Sequence, residues 1–247
     1  MYKKQIHINC DLGEGGKYDS KLMPLISACN IACGGHAGDI ESMTKTVLLA
    51  KKNNVEIGAH PSYPDSVNFG RISMDISEKD LKNSIKDQII TLHKIAQEHG
   101  EILSHIKPHG ALYNDVSKDK TLAKIVLKAI EECNLNLPIY CPENSAIFHL
   151  IKDKDKVVFE AFADRNYNPD LSLVSRTKPN ALISEKHEVF KHVFMMFSEG
   201  KLRSENGEIM SVNPTTFCLH SDTPNSVEIL QYLTEELLKN NIKIAKK

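Results

Sequence analysis

One pairing recurs along this chain and limits what it can fold into: a short apolar run, then residues capable of chemistry at its C-terminal end. IHINCD ends at Asp11, NIACGGH at His36, VEIGAH at His60, and ILSHIKPH at Lys107 and His109. VVFEAFADR ends at Asp164 and Arg165, and TFCLHSD at His220 and Asp222. Helix-like stretches separate most of these runs. If the runs are parallel strands closed into a barrel, their C-terminal ends meet at one mouth and the polar residues share a cleft. That arrangement points to an enzyme.

The strands expected from the pattern are Ile6–Cys10, Ile26–Ala32, Val55–Ala59, Ile102–Lys107, Leu137–Cys141, Val157–Phe162 and Thr216–Leu219. Between them, Asp39 reads as the N-cap of a helix with Met43, Val47 and Ala50 on one stripe. Ser77 and Asp80 read as a capping box for a helix burying Leu81, Ile85, Ile89, Leu92 and Ala96. Further helical faces run through Leu122, Ile125 and Ala129, and through Val189, Val193 and Phe197. Residues 201–210 suggest a small hairpin, and Thr223-Pro224 the start of a last helix. No linker divides the 247 residues. The expected fold is α/β, a single-domain seven-stranded (β/α) TIM-like barrel spanning residues 1–247. An open doubly wound sheet allows the same alternation, but it concentrates its chemistry at one switch point rather than on nearly every strand.

With 31 basic and 32 acidic residues spread along the chain, nothing resembles the basic face of a nucleic-acid-binding protein. The six cysteines form no C-x-x-C pair, so they read as small apolar residues in a reducing cytosol. MYKKQIHINCD turns polar too early for a signal peptide, and no apolar run approaches the ~20 residues of a membrane span. A soluble, cytoplasmic protein is expected.

Asp11 and Glu14 lie in NCDLGEGG, where a carboxylate can act as general base, metal ligand or substrate anchor, or simply bond its own turn. GEGGKY lacks the glycine spacing and the Lys-Ser/Thr pair of a phosphate loop. In CGGHAGD, His36 and Asp39 flank a helix N-terminus, where an anion is welcome. His36 and His60, with Asp11, are also candidates for a divalent metal, although their spacing is not diagnostic. After strand three, Tyr63, Asp65, Phe69 and Arg71 are placed to form a rim over the mouth. KPHGALYN is the strongest local signal: Lys107 suits an oxyanion and His109 proton transfer, with Tyr113 adding a polar contact. Arg165 and Arg176 are candidates to clamp a carboxylate, and Asp164 either joins them or pairs structurally with Arg165. His220 and Asp222 repeat the strand-end pattern, although Asp222 is also placed to cap the last helix.

NCDLGE, NIACGGHAGD, GAHPSYPD, FGR, KPHGALYN, FADR and the HSD segment, in this order, resemble the LamB/YcsF family. The resemblance implies a seven-stranded barrel related to glycoside hydrolase and sugar-deacetylase barrels. It also implies one component of an ATP-dependent 5-oxoprolinase, which opens the lactam 5-oxo-L-proline to L-glutamate with separate subunits B and C. A lactam is a poor electrophile, so ATP consumption makes chemical sense, and the missing phosphate loop assigns nucleotide binding to the partners. Three departures stand out: Cys10 before Asp11, Ser221 between His220 and Asp222, and Leu171 where the family has glycine, a change expected to alter the loop near Arg176.

The roles expected are Asp11 and His60 on the nucleophilic water, Lys107 on the oxyanion and His109 as proton donor. Glu14, His36, Asp39, Arg71, Tyr113, Asp164, Arg165, Arg176, His220 and Asp222 are expected around the substrate. A stand-alone metal-dependent deacetylase or amidohydrolase, and a non-catalytic binding subunit, are the alternatives.

Overall fold

The computed structural model describes residues 4–247. Seven parallel strands close into a barrel: β1 (Ile8–Leu12), β2 (Ala28–Ala32), β3 (Glu56–His60), β4 (Leu103–Ile106), β5 (Ile139–Cys141), β6 (Val157–Phe162) and β7 (Thr216–Cys218). Each strand pairs with its neighbour in sequence, and β7 shuts the ring by pairing with both β6 and β1. The open sheet is therefore excluded. All seven expected strands exist, with ends displaced by at most two residues. The first is Ile8–Leu12 rather than Ile6–Cys10, so Asp11 sits within the strand instead of after it. Ile6 ends a separate strand, Lys4–Ile6, which pairs in parallel with Ile242–Ile244 and ties together the two ends of the described chain.

The helices follow their caps. In α1 (Ile40–Lys52), the Asp39 carboxylate accepts the Ser42 N–H while the Ser42 hydroxyl accepts the Asp39 N–H. In α2 (Glu78–Glu98), Ser77 Oγ accepts the Asp80 N–H, and the expected stripe from Leu81 to Ala96 is buried. The helix α3 (Gly110–Lys118) is not among the elements expected from the sequence. Gly110 makes it possible at φ +54, a conformation that glycine adopts freely, and it packs so closely on Gly70 O that a Cβ would clash. After α4 (Lys120–Glu131), α5 (Ala146–Leu150) and α6 (Lys186–Glu199) comes the expected hairpin, Lys201–Arg203 with Ile209–Ser211. The last helix, α7 (Ser226–Lys239), starts later than Thr223-Pro224 because Thr223 gives its hydroxyl to Asp164 and Asn225 takes the cap position.

The barrel interior is polar at its centre. Asp11, Asn30, Gly58 and His105 are register partners across β1 to β4 and so share one level. His105 stacks on Tyr140 with ring centroids 4.0 Å apart and donates from Nε2 to Asn30 Oδ1 at 2.6 Å. The Asn30 amide donates to Asn9 Oδ1 at 2.8 Å and Asp11 Oδ1 at 2.7 Å, and Asn9 donates to Thr216 Oγ1 at 2.8 Å. The groups satisfy one another in series, the condition under which buried polar atoms are tolerated. Gly58 belongs to this network through its missing side chain: a Cβ there would fall inside the His105 imidazole.

Gly58→Ala must therefore displace His105 from Asn30. Overpacking plus the lost hydrogen bond predicts a stability loss of at least ~2 kcal/mol. Urea unfolding should show a lower midpoint with unchanged slope.

Candidate active site

Lys107 lies one residue beyond β4 and sends its side chain into the barrel. Its ammonium is 2.9 Å from Asp11 Oδ1, 3.1 Å from Glu160 Oε1 and 3.0 Å from Cys218 Sγ. Its three N–H groups are directed to Asp11, Cys218 and, at 3.5 Å, Asn9 Oδ1, while Glu160 adds its charge without a hydrogen bond. Burial alone would lower its pKa, but Asp11, Cys218 and Glu160 outweigh that and hold it well above the ordinary lysine value. Burial would likewise raise the Asp11 carboxyl, yet His60 and Lys107 hold it well below the usual carboxylate range. Asp11 Oδ1 is thus committed to Lys107 and Asn30, while Oδ2 faces His60 Nε2 at 3.4 Å.

Above this level four side chains crowd the mouth. Gly13, at φ +75, turns the chain out of β1 so that Glu14 points back in. Glu14 Oε1 lies 2.9 Å from His36 Nε2, 3.5 Å from His109 Nδ1 and 3.9 Å from His60 Nε2. Burial first, and the Asp11 charge second, push the Glu14 carboxyl up to about 7. Burial lowers His36 to about 4. The His36 and His109 rings stack 3.6 Å apart and within 3° of parallel. His60 Nδ1 donates to Lys107 O at 2.7 Å, and His109 Nε2 to Phe69 O at 2.9 Å.

A second carboxylate–histidine pair stands where the barrel closes. Asp164 Oδ1 accepts from His220 Nδ1 at 2.9 Å, and its Oδ2 takes the His220 backbone N–H and the Thr223 hydroxyl. The opposite nitrogen, His220 Nε2, makes no hydrogen bond among the described residues. A ligating atom of His220 lies within 4.8 Å of both Asp11 and Cys218. At the rim, Arg71 and Arg176 share the Asp222 carboxylate, Arg176 at 3.7 Å, and Arg71 also lies over the Phe69 ring at 5.0 Å.

The structure thus brings together Asp11, Glu14, His36, His60, Lys107, His109, Asp164, His220, Arg71, Arg176 and Asp222. Several expectations need correction. The Asp39 carboxylate is spent on capping α1 and is not a substrate contact. Arg165 does not clamp a ligand with Arg176: its guanidinium donates to Ala181 O and Val174 O, stapling its own loop. Asp164 pairs with His220 rather than Arg165, and Asp222 pairs with arginines rather than capping α7. The Tyr113 side chain is buried against Phe162 instead of bordering the mouth, and Tyr63 is buried with its hydroxyl on Asp115. Lys107 leaves no N–H for an oxyanion unless a partner is displaced. His109 gives its N–H to Phe69 O, so the expected proton donor has no proton to offer in its neutral form. Leu171 keeps the glycine-like backbone, φ +65, so the substitution adds local strain instead of reshaping the loop.

Glu160, Cys218, His105, Asn9 and Asn30 were not singled out from sequence. Their signal was the two-residue alternation, Asn9 with Asp11 and His105 with Lys107, which places both members of a pair on the inward face.

Fold and site define a β/α-barrel protein with a histidine- and carboxylate-rich mouth over a buried ion-pair network. The chain belongs to the LamB/YcsF family, whose profile matches residues 6–247. It is 38% identical over 242 residues to the A subunit of 5-oxoprolinase from Haemophilus influenzae, covering 98% of this chain and 99% of the relative. The corresponding 5-oxoprolinase chain of Thermococcus sibiricus is 44% identical over 246 residues, covering 97% and 96%. Those names imply that the relatives work in a complex of several subunits. Among solved structures, a lactam utilization protein from Thermus thermophilus superposes with a TM-score of 0.89 at 30% identity, covering 98% of this chain and all of that one. A family 4 carbohydrate esterase from Streptomyces lividans shares the fold at TM-score 0.53 and 11% identity, over 99% and 93% of the chains. No helix among the described residues is long and apolar enough to cross a membrane.

The buried charges lead to two predictions. Lys107→Met leaves Asp11 and Glu160 without their cation and should cost ~3–5 kcal/mol in chemical unfolding, as for other broken buried pairs. Burial raises the Asp164 carboxyl, but His220 and Thr223 overcompensate and hold it below its ordinary value. Its contribution is therefore present above the unfolded pKa near ~4 and lost as pH falls through the folded one. Asp164→Asn should flatten the acid limb of the stability profile in that window.

Proposed function

We propose that this chain is the hydrolytic subunit of a cytoplasmic, ATP-dependent 5-oxoprolinase, opening 5-oxo-L-proline to L-glutamate together with partner subunits B and C. The names of the relatives support the substrate, and one observation carries the assignment of chemistry to this chain. Asp11, whose Oδ2 is uncommitted apart from the nearby His60, stands within reach of His220, and both lie under a rim bearing two arginines and one carboxylate.

In this reading the partners phosphorylate the carbonyl oxygen of the lactam, converting ATP to ADP. The barrel then hydrolyses the activated ring. One water adds to the former carbonyl carbon, the ring C–N bond breaks, and the nitrogen takes a proton. A second water releases phosphate. Asp11 Oδ2 orients the attacking water and accepts its proton. His220, whose Nδ1–H is held by the Asp164 carboxylate, replaces His109 at the leaving nitrogen: it gives a proton from Nε2 as the imidazolium, a cation that the Asp164 charge stabilises and the Phe69 carbonyl beside His109 does not match. Lys107 acts at one remove by keeping Asp11 in place. Arg71 and Arg176 take the substrate carboxylate, with Asp222 holding both until the ligand arrives.

The test is glutamate release from 5-oxoproline by the chain alone and with subunits B and C, each with and without ATP. Release is expected only with partners and ATP. His220→Gln should lower kcat by roughly 10²–10⁴-fold, the range of general acid–base catalysis. Arg176→Ala should act mainly on KM, by about tenfold for one charge-assisted bond. Full turnover in both variants would remove the mouth from the reaction.

A further inference from the structure

The hydrogen bonds at the mouth fix the tautomers of two histidines, and the result is electrostatically incomplete. A carbonyl oxygen can only accept, so His60 carries its proton on Nδ1, facing Lys107 O, and His109 carries its own on Nε2, facing Phe69 O. When both rings are neutral, the remaining nitrogens, His60 Nε2 and His109 Nδ1, are lone pairs facing each other across 3.0 Å. Glu14 Oε1 approaches the same space, 3.5 Å from His109 Nδ1 and 3.9 Å from His60 Nε2. Asp11 Oδ2 lies on its edge, 3.4 Å from His60 Nε2. With both imidazoles neutral and Glu14 ionised, three acceptors converge with no donor among them, an arrangement that a cation would complete.

The geometry assigns a divalent metal site to Glu14, His60 and His109. A point equidistant from the three atoms lies about 2.0 Å from each, the length of a zinc–nitrogen or zinc–carboxylate bond. Both histidines donate their other N–H to a backbone carbonyl, the arrangement that orients imidazole ligands and fixes their tautomer. Three protein ligands of this type leave a position open to a small molecule, and the ion would supply Lewis acidity there.

His36 is excluded from the ligand set although it is close. Its ring lies parallel to that of His109 at 3.6 Å, so an ion in the plane of one ring stands well out of the plane of the other. It is a positioning residue that steadies Glu14 through the 2.9 Å contact with Nε2. The neighbouring group Asp11, Cys218 and His220 is also excluded, because the Lys107 ammonium already sits 2.9 Å from Asp11 and 3.0 Å from Cys218. The set therefore differs from the Asp11, His36 and His60 considered from sequence; only His60 is common to both. The assignment rests on donor geometry and is independent of the lactam reading.

The test uses the full chain, stripped with a chelator and titrated calorimetrically with Zn²⁺ and with Mn²⁺, plus the ligand-field spectrum of the Co²⁺ form. A single stoichiometric site is expected for at least one ion, with a low-symmetry Co²⁺ spectrum. His109→Gln and Glu14→Gln should each weaken binding at least ~100-fold, and His36→Ala by ~10–100-fold, as for residues that orient a ligand. His220→Gln should bind as the wild type does. Circular dichroism checks that each variant is folded. Two results would overturn the assignment. One is a folded wild-type chain that binds neither ion while ¹⁵N shifts show a proton shared between His60 and His109. The other is binding unaffected by His109→Gln but lost in His220→Gln.

Discussion

A single side chain couples the core of this barrel to its mouth. The Lys107 ammonium is buried among Asp11, Glu160 and Cys218, where an unpaired charge would be untenable. Its presence makes it possible for Asp11 to remain ionised inside the barrel. The same residue acts a second time through its backbone, since Lys107 O receives the His60 Nδ1 proton and thereby fixes which nitrogen of His60 faces the mouth. Side chain and main chain of one residue thus set the orientation of two groups on different strands. The Asn9–Asn30–His105 network below supplies the polar floor on which this arrangement stands.

The upper half of the site depends on the loop after β3. Phe69 occupies the left-handed region at φ +56, which costs a non-glycine residue of order 1 kcal/mol or more. That conformation accompanies a carbonyl directed at His109 Nε2 and a ring packed edge-on against His36 and His109. The next residue but one, Arg71, reaches Asp222 on the far side of the barrel seam. One loop therefore sets a histidine tautomer and also carries part of the charged rim. The closed barrel makes this possible, because residues far apart in sequence end at the same level of one ring.

Much of this was legible in the sequence. Apolar runs ending in titratable residues gave the strands, their parallel direction and most members of the mouth. The family resemblance, carried by seven ordered segments, agrees with the profile match across nearly the whole chain. What could not be read was which polar atoms would be left free. Asp39, Arg165 and Tyr113 looked like site residues by type and position, and the structure commits each to local architecture: a helix cap, a loop staple and a packed ring. Lys107 and His109 are in the site, but their donors are spent on partners 40 to 111 residues away. Glu160 and His220 show the converse, since their importance comes from neighbours that only barrel closure brings together. Residue type is a local property, whereas hydrogen-bond saturation depends on the tertiary fold.

The most direct test of the account is a crystal structure of the chain with 5-oxo-L-proline bound. The account predicts the ring inside the mouth, its amide carbon beside Asp11 Oδ2, its nitrogen toward His220 Nε2 and its carboxylate on Arg71 and Arg176, with Asp222 released. A ligand bound instead in the outer groove between the Gly13–Lys17 segment and Lys45 and Lys52 of α1 would contradict it.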